Sequence, residues 1–218
     1  MNSVQGKNSN RSITTLLFDW DGTIVDSHQL GLKAFEQSFA SLGVAFDHEV
    51  YRAVYSPNWY SVYKAMGLPP EKWQKADELW VENYGAQTAQ LVAGARETLE
   101  VLQGRGYGLG VVSSGSDCRV RREIKELELE ELFSVVVCNE QMTNKKPHPE
   151  GLETAMQSVA RAPDECCYIG DSPEDIEMGQ RAGVFTVGVR STYPTSWKLQ
   201  DWKPNIYLKQ FRQLIDHF

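Results

Sequence analysis

Apolar and polar positions along the chain change rhythm in a way that separates strands from helices. Residues 14–18 are β-branched or apolar without interruption, which suits a strand buried on both faces. Leu30, Ala34, Phe35, Ser38, Phe39 and Leu42 then recur at helical spacing, and Gly43 is a natural stop. From there to about residue 92 no strand pattern is found. Helical stretches at 49–55, 60–66 and 70–84 are separated by Ser56-Pro57-Asn58 and Gly67-Leu68-Pro69-Pro70. From Gly94 onward the alternation is regular. Helices are predicted at 95–103, 117–127, 149–159 and 173–182, and strands at 108–112, 135–138, 166–169 and 185–189. A short strand at 206–208 and a helix at 210–217 close the chain. This pattern predicts an α/β protein with a doubly wound, Rossmann-like parallel sheet. An α-helical cap of about four helices is inserted into it. The expected division is a core of residues 13–26 and 93–218, a cap at 27–92 and a disordered tail at 1–12.

Composition narrows the classes of function. The chain has 218 residues, 41% hydrophobic and 23% charged, ordinary values for a globular protein. Its net charge of −7 disfavours a nucleic-acid-binding surface. No apolar run approaches the roughly 18 residues of a membrane helix. The first twelve residues, Met1 to Ser12, carry no apolar stretch of the kind found in a signal peptide. Cys118, Cys138, Cys166 and Cys167 match no zinc spacing, and three of them lie in or at the end of apolar runs. Reduced core cysteines in a cytoplasmic protein are the expectation.

Four clusters of reactive residues fall where chemistry is expected. Asp19-Trp20-Asp21-Gly22-Thr23 follows the first strand. Ser113-Ser114-Gly115-Ser116 follows the strand ending at Val112, and Gly170-Asp171-Ser172-Pro173-Glu174-Asp175 the strand ending at Ile169. Lys145-Lys146-Pro147 is the fourth. Strand ends in an open α/β sheet converge on one crevice. Two acids at one strand end repel unless a cation lies between them, and Mg²⁺ suits such oxygen ligands. A carboxylate can attack a phosphoryl group. A second carboxyl can protonate the leaving oxygen and then activate water. Hydroxyls, backbone N–H groups and a lysine can hold the phosphoryl oxygens.

On these motifs the sequence resembles the haloacid dehalogenase-like hydrolase superfamily, in the branch with a helical cap after the first strand. The likeness spans residues 13–218. It implies Asp19 as nucleophile and Asp21 as general acid/base whose backbone carbonyl also binds magnesium. It further implies Ser113, Ser114 and Lys146 as phosphate-binding residues. Asp171 would be a direct magnesium ligand, and Asp175 would support the metal or its water. The expected activity is Mg²⁺-dependent hydrolysis of a small phosphomonoester through an aspartyl-phosphate.

Rivals are set aside on particular residues. True dehalogenases of the family lack the second acid, and Asp21 supplies the proton that a leaving alkoxide needs. The β-phosphoglucomutase-like branch carries a histidine twelve residues past the nucleophile, where this chain has Gly31. That mutase and a catalytically idle phosphate-binding domain are the alternatives. In the cap, Asn58, Trp59 and Tyr60 are expected to face the leaving group. The expected partner is a small phosphorylated metabolite, with no nucleic acid or membrane, in a monomer or homodimer.

Overall fold

The computed structural model of the protein describes residues 13–85 and 87–218. The tail expected at 1–12 lies outside the described residues. The chain opens with strand β1 (Thr15–Phe18), a two-residue strand β2 (Val25–Asp26) and helix α1 (His28–Ser41). Helices α2 (His48–Val54), α3 (Tyr60–Ala65) and α4 (Trp73–Tyr84) follow, then strand β3 (Gln90–Leu91). Alternation then runs through α5 (Ala95–Gly104), β4 (Gly108–Val112), α6 (Asp117–Glu126), β5 (Val135–Val137) and α7 (Glu150–Ser158). It ends with β6 (Cys166–Gly170), α8 (Pro173–Ala182), β7 (Phe185–Val189) and β8 (Ile206–Leu208).

Six strands form one parallel sheet in the order β5-β4-β1-β6-β7-β8. The apolar runs have a simple origin in this layering. Leu16 and Phe18 point to one face of β1 and Leu17 to the other, and each face has its own buried cluster. Cys167 and Ile169 join the first cluster, while Cys166 and Tyr168 join the second. A strand covered on both sides needs apolar residues at every position. Gly151 on α7 lets that helix lie close to the sheet, because a side chain there would run into Met142 and Val112. Helix α8 begins with a Ser172 side chain that accepts from the Asp175 N–H, has Pro173 in its first turn, and stops at left-handed Gly183.

Between β2 and β3 the chain is helical and packs a third cluster around Phe35, Phe39, Tyr51, Val62 and Tyr63. Three expectations are corrected here. No strand was expected between Gly43 and about residue 92, yet Leu91 pairs with Val25 and Gln90 with Asp26 in an antiparallel ribbon. Two residues per strand are too few to show an alternating pattern. The helix expected at 70–84 starts with a separate 3₁₀ turn, Pro70–Lys72, since proline suits a first turn. The closing helix is 3₁₀ over Phe211–Asp216. No helix among the described residues is long and apolar enough to cross a membrane.

Candidate active site

Strand β1 sits between β4 and β6, with Phe18 opposite both Val111 and Ile169. The residues leaving these three strands therefore emerge side by side. The Asp19 N–H still donates to the Ile169 carbonyl at 2.8 Å, and the Ser113 N–H to the Val137 carbonyl at 2.9 Å. The sheet ladder thus holds the backbone of both residues. Lys146 arrives on the loop after β5, and Asp171 on the loop after β6.

Asp19, Asp171 and Asp175 are buried, and one carboxylate oxygen of each lies within 4.8 Å of the others. Lys146 bridges two of them, donating to Asp19 Oδ1 at 2.5 Å and to Asp175 Oδ1 at 2.8 Å. Asp175 also accepts from the Ser172 hydroxyl at 2.7 Å, and Asp171 from the Ser191 hydroxyl at 2.5 Å. Burial pushes the Asp19 carboxyl up to about 7 against the pull of Lys146. Burial, with Asp19 and Asp175 nearby, pushes Asp171 well above the carboxylate range. Burial alone would lower Lys146, but Asp175 and Asp19 outweigh it and hold the ammonium well above its usual range. Three converging carboxylates with one ammonium leave an excess of negative charge that hard oxygen donors would share with a divalent ion. This donor set fits Mg²⁺. Gly22 makes the loop possible: it has φ +82°, and a side chain there would meet the Asp171 carboxylate.

The Asp21 carboxylate belongs to a different cluster. Arg119 grips it with both terminal nitrogens, at 3.0 and 2.6 Å, and the Ser27 hydroxyl donates to it at 2.6 Å. Burial works to raise this carboxyl, but the Arg119 charge and hydrogen bonds outweigh it and hold Asp21 below the usual range. Behind Arg119 lies Glu123, with no exposed surface. Glu123 accepts from Arg119 at 3.1 Å, from the Trp20 indole at 2.7 Å and from the Tyr84 hydroxyl at 2.9 Å. Arg119, Glu123, Ser27 and Ser191 carried no signal in the sequence reading. The two charged residues are spaced i, i+4 in Arg119-Val120-Arg121-Arg122-Glu123, which reads as an exposed helix face.

In the loop after β4, Ser113 is buried and its Oγ accepts from the Gly115 N–H at 2.9 Å. Ser114 is half-buried, and the loop runs into the N-terminus of α6. Asp19, Asp21, Ser113, Ser114, Lys146 and Asp171 all line one cavity of about 290 Å³. Asp175 stands behind this wall, reached through Lys146 and Ser172. Cap residues close the far side. Trp59 and Tyr60 line the cavity, but Asn58 does not: it is exposed at the tip of its turn. The Trp59 indole, the Tyr60 hydroxyl and the Tyr63 hydroxyl all donate to Asp77, at 2.8, 3.0 and 2.9 Å. The Ser56 hydroxyl bonds Glu174 at 2.7 Å, joining the cap loop to the loop after β6.

Known proteins resemble this chain in sequence and fold. Residues 16–189 match the family model described as haloacid dehalogenase-like hydrolase. A pyrophosphatase PpaX from Oceanobacillus iheyensis is 31% identical over 92% of this chain and 90% of its own length. Among solved structures, a haloacid dehalogenase-like family hydrolase from Streptococcus pneumoniae superposes with TM-score 0.83 at 24% identity, covering 95% of this chain and 99% of that one. CbbY from Rhodobacter sphaeroides, solved with phosphate, gives 0.80 at 21% identity over 93% and 96% of the two chains. The motif order along the sequence, the parallel sheet that brings those motifs together and the matched span agree: the chain belongs to the haloacid dehalogenase-like hydrolases.

Proposed function

We propose that the protein is a Mg²⁺-dependent phosphatase that hydrolyses a small soluble phosphomonoester through an aspartyl-phosphate on Asp19. The observation that carries this reading is the buried Asp19–Asp171–Asp175 set, with Lys146 joining Asp19 to Asp175. Mg²⁺ held by the side chains of Asp19, Asp171 and Asp175 and the backbone carbonyl of Asp21 would supply positive charge for the phosphoryl oxygens.

The remaining steps belong to the chain's own residues. Asp19 attacks phosphorus, forming one O–P bond as the ester O–P bond breaks. Asp21, which the Arg119 pair keeps ionised in the empty site, takes up a proton as the substrate binds, gives it to the departing oxygen, then takes one from the water that attacks the aspartyl-phosphate. Ser113, Ser114 and Lys146 orient the phosphoryl oxygens, and the positive end of α6 faces the same side. The residues between β2 and β3 act as a cap that excludes bulk water while the intermediate exists. Its loop at Ser56-Pro57-Asn58-Trp59-Tyr60 contributes to substrate choice. The protein works in the cytoplasm.

The printed name of the Oceanobacillus iheyensis relative makes pyrophosphate a second substrate to test. A mutase is less well supported. Gly31 has no side chain to carry a proton, and its carbonyl accepts from the Trp80 indole at 3.2 Å. The test is phosphate release from a panel of small esters and pyrophosphate, with Mg²⁺ and with EDTA, for wild type and Asp19→Asn. Release that needs Mg²⁺ and vanishes in the variant is expected. Release that survives Asp19→Asn would sink the mechanism.

A further inference from the structure

Beyond the phosphate-facing residues, the cavity changes character. Its cap side is formed by aromatic rings, among them Tyr51, Tyr55, Trp59, Tyr60 and Trp80. These rings hold one another: Tyr60 stacks on Trp73 with centroids 4.9 Å apart, and Trp80 on Tyr84 at 5.0 Å. A carboxylate stands among them. Asp77 lines the cavity and collects the Trp59, Tyr60 and Tyr63 donors. Two of those donors fall on Oδ1 and one on Oδ2. A carboxylate has about four acceptor positions, so Oδ2 retains capacity toward the cavity.

Two of the three cations that line this space are paired with carboxylates, and the third, Lys145, bonds only a neutral amide. Lys146 is held between Asp19 and Asp175, and Arg119 between Asp21 and Glu123. Lys145 donates to Asn139 and stands 5.2 Å from the Trp59 ring centroid. A second phosphate on the leaving side would carry its charge toward Asp77 and Asp21 and bury it against rings, an arrangement that costs free energy. A flat, uncharged group meets the opposite conditions. It would stack on rings already fixed in place and lose little water in doing so. The volume, about 290 Å³, lies just under the range for sites that bury a drug-sized ligand, about 300 to 1,000 Å³.

We infer that the favoured substrate is a phosphomonoester whose alcohol carries a flat aromatic or heterocyclic ring, with Asp77 accepting a hydrogen bond from that ring's N–H or hydroxyl. This inference rests on the phosphatase reading above and narrows it. It separates the protein from a pyrophosphatase, in which the leaving group is itself an anion without a ring.

The experiment compares three compounds with the full chain in Mg²⁺: uridine 5′-monophosphate, ribose 5-phosphate and pyrophosphate. The first two leave through the same kind of 5′-oxygen and differ by the heterocycle. The expected kcat/KM favours the nucleotide over ribose 5-phosphate by about tenfold or more, the equivalent of one ring-stacking contact. Pyrophosphate ranks last. Asp77→Asn narrows the nucleotide preference, because the amide presents one acceptor oxygen in place of two. As a second readout, uridine alone, without phosphate, quenches the tryptophan fluorescence of the wild type along a saturable curve.

Equal rates for the nucleotide and ribose 5-phosphate would overturn the inference while leaving the phosphatase standing, as would pyrophosphate as best substrate. Release from none of the three, with saturable quenching by uridine, would remove the phosphatase reading and leave the ring site. Neither release nor quenching would remove both.

Discussion

Arg119 holds Asp21 by a two-pronged ion pair, with nitrogen–oxygen distances of 3.0 and 2.6 Å, and Arg119 is itself all but buried. A bidentate pair fixes the plane of the carboxylate as well as its position. The acid/base group of the proposed reaction is thus oriented by a residue on α6, which Glu123 braces one turn later.

The first prediction concerns this pair. Because kcat/KM reports only steps up to departure of the leaving group, it isolates the proton given by Asp21. In Arg119→Lys, kcat/KM for an alkyl phosphate falls by about a hundredfold, the lower range for a positioned acid. For p-nitrophenyl phosphate, whose leaving group needs no proton, the fall is several times smaller. A substitution that only loosened the fold would lower both alike, so equal losses would refute the assignment. Lysine retains the charge but cannot form the paired geometry.

Lys146 gives a second prediction. Lys146→Met leaves three buried carboxylates without their ammonium, and breaking a buried pair in this way costs about 3–5 kcal/mol. Thermal melts in EDTA should show a markedly lower Tm for the variant. Adding Mg²⁺ raises Tm in both proteins, and by more in the variant. A wild-type Tm that ignores Mg²⁺ at concentrations up to several millimolar would argue against the proposed metal site; at a hundred times Kd a bound ion adds about 2.7 kcal/mol.

His28 gives a pH prediction. Its ring lies between Tyr51 and Tyr193, with centroids at 6.3 and 4.8 Å, and neither ring nitrogen has a hydrogen-bond partner. Burial lowers its pKa from the ordinary 6.5, Asp26 opposes this, and Arg52 adds to it. The unfolded chain therefore takes up the proton first as pH falls. Stability conferred by the neutral ring is present above 6.5 and is lost as pH falls below that value toward the folded-state pKa. His28→Phe should flatten the fall of Tm between about pH 7 and 5 relative to the wild type. An unchanged slope would show that other groups set it.

Gly22 supplies the fourth. Its φ of +82° costs a non-glycine residue about 1–2 kcal/mol, and an added methyl would also meet Asp171 and Tyr193. Gly22→Ala is expected to lower Tm and to shrink the rise on adding Mg²⁺, since Asp171 must move. A variant with the wild-type Mg²⁺ response would contradict the tight approach described for this loop.

Legibility in the sequence followed the range of the interactions. The parallel sheet was readable because its central strands β1 and β6 are buried on both faces and read as apolar runs. The strands Gly108–Val112 and Phe185–Val189 and helix Pro173–Ala182 match their expected limits. The motif residues were readable because each directly follows a strand or sits in a short characteristic run. Glu123 was not, since its burial depends on Trp20 and Tyr84, which lie 103 and 39 residues away. Asp77 was missed for the same reason. On its own helix it is one acid among several, and only folding brings three aromatic donors to it. Asn58 was grouped with Trp59 and Tyr60 by adjacency, yet it is exposed and stands outside the cavity lining that its two neighbours join.

The Val25–Leu91 and Asp26–Gln90 ribbon gives the chain a closed doorway. The polypeptide leaves the sheet and returns to it through two short strands that bond each other, and none of the six sheet strands lies between them. Everything that recognises the leaving group through the helices is therefore carried on a loop with a fixed base. Such a loop can lengthen, shorten or be exchanged for another without altering the register of the strands that hold Asp19, Ser113 and Asp171. The positions of Asp19, Ser113 and Asp171 are thus set by strand pairing outside that loop, while the Tyr84–Glu123 bond ties one of its helices to the residues that orient Asp21.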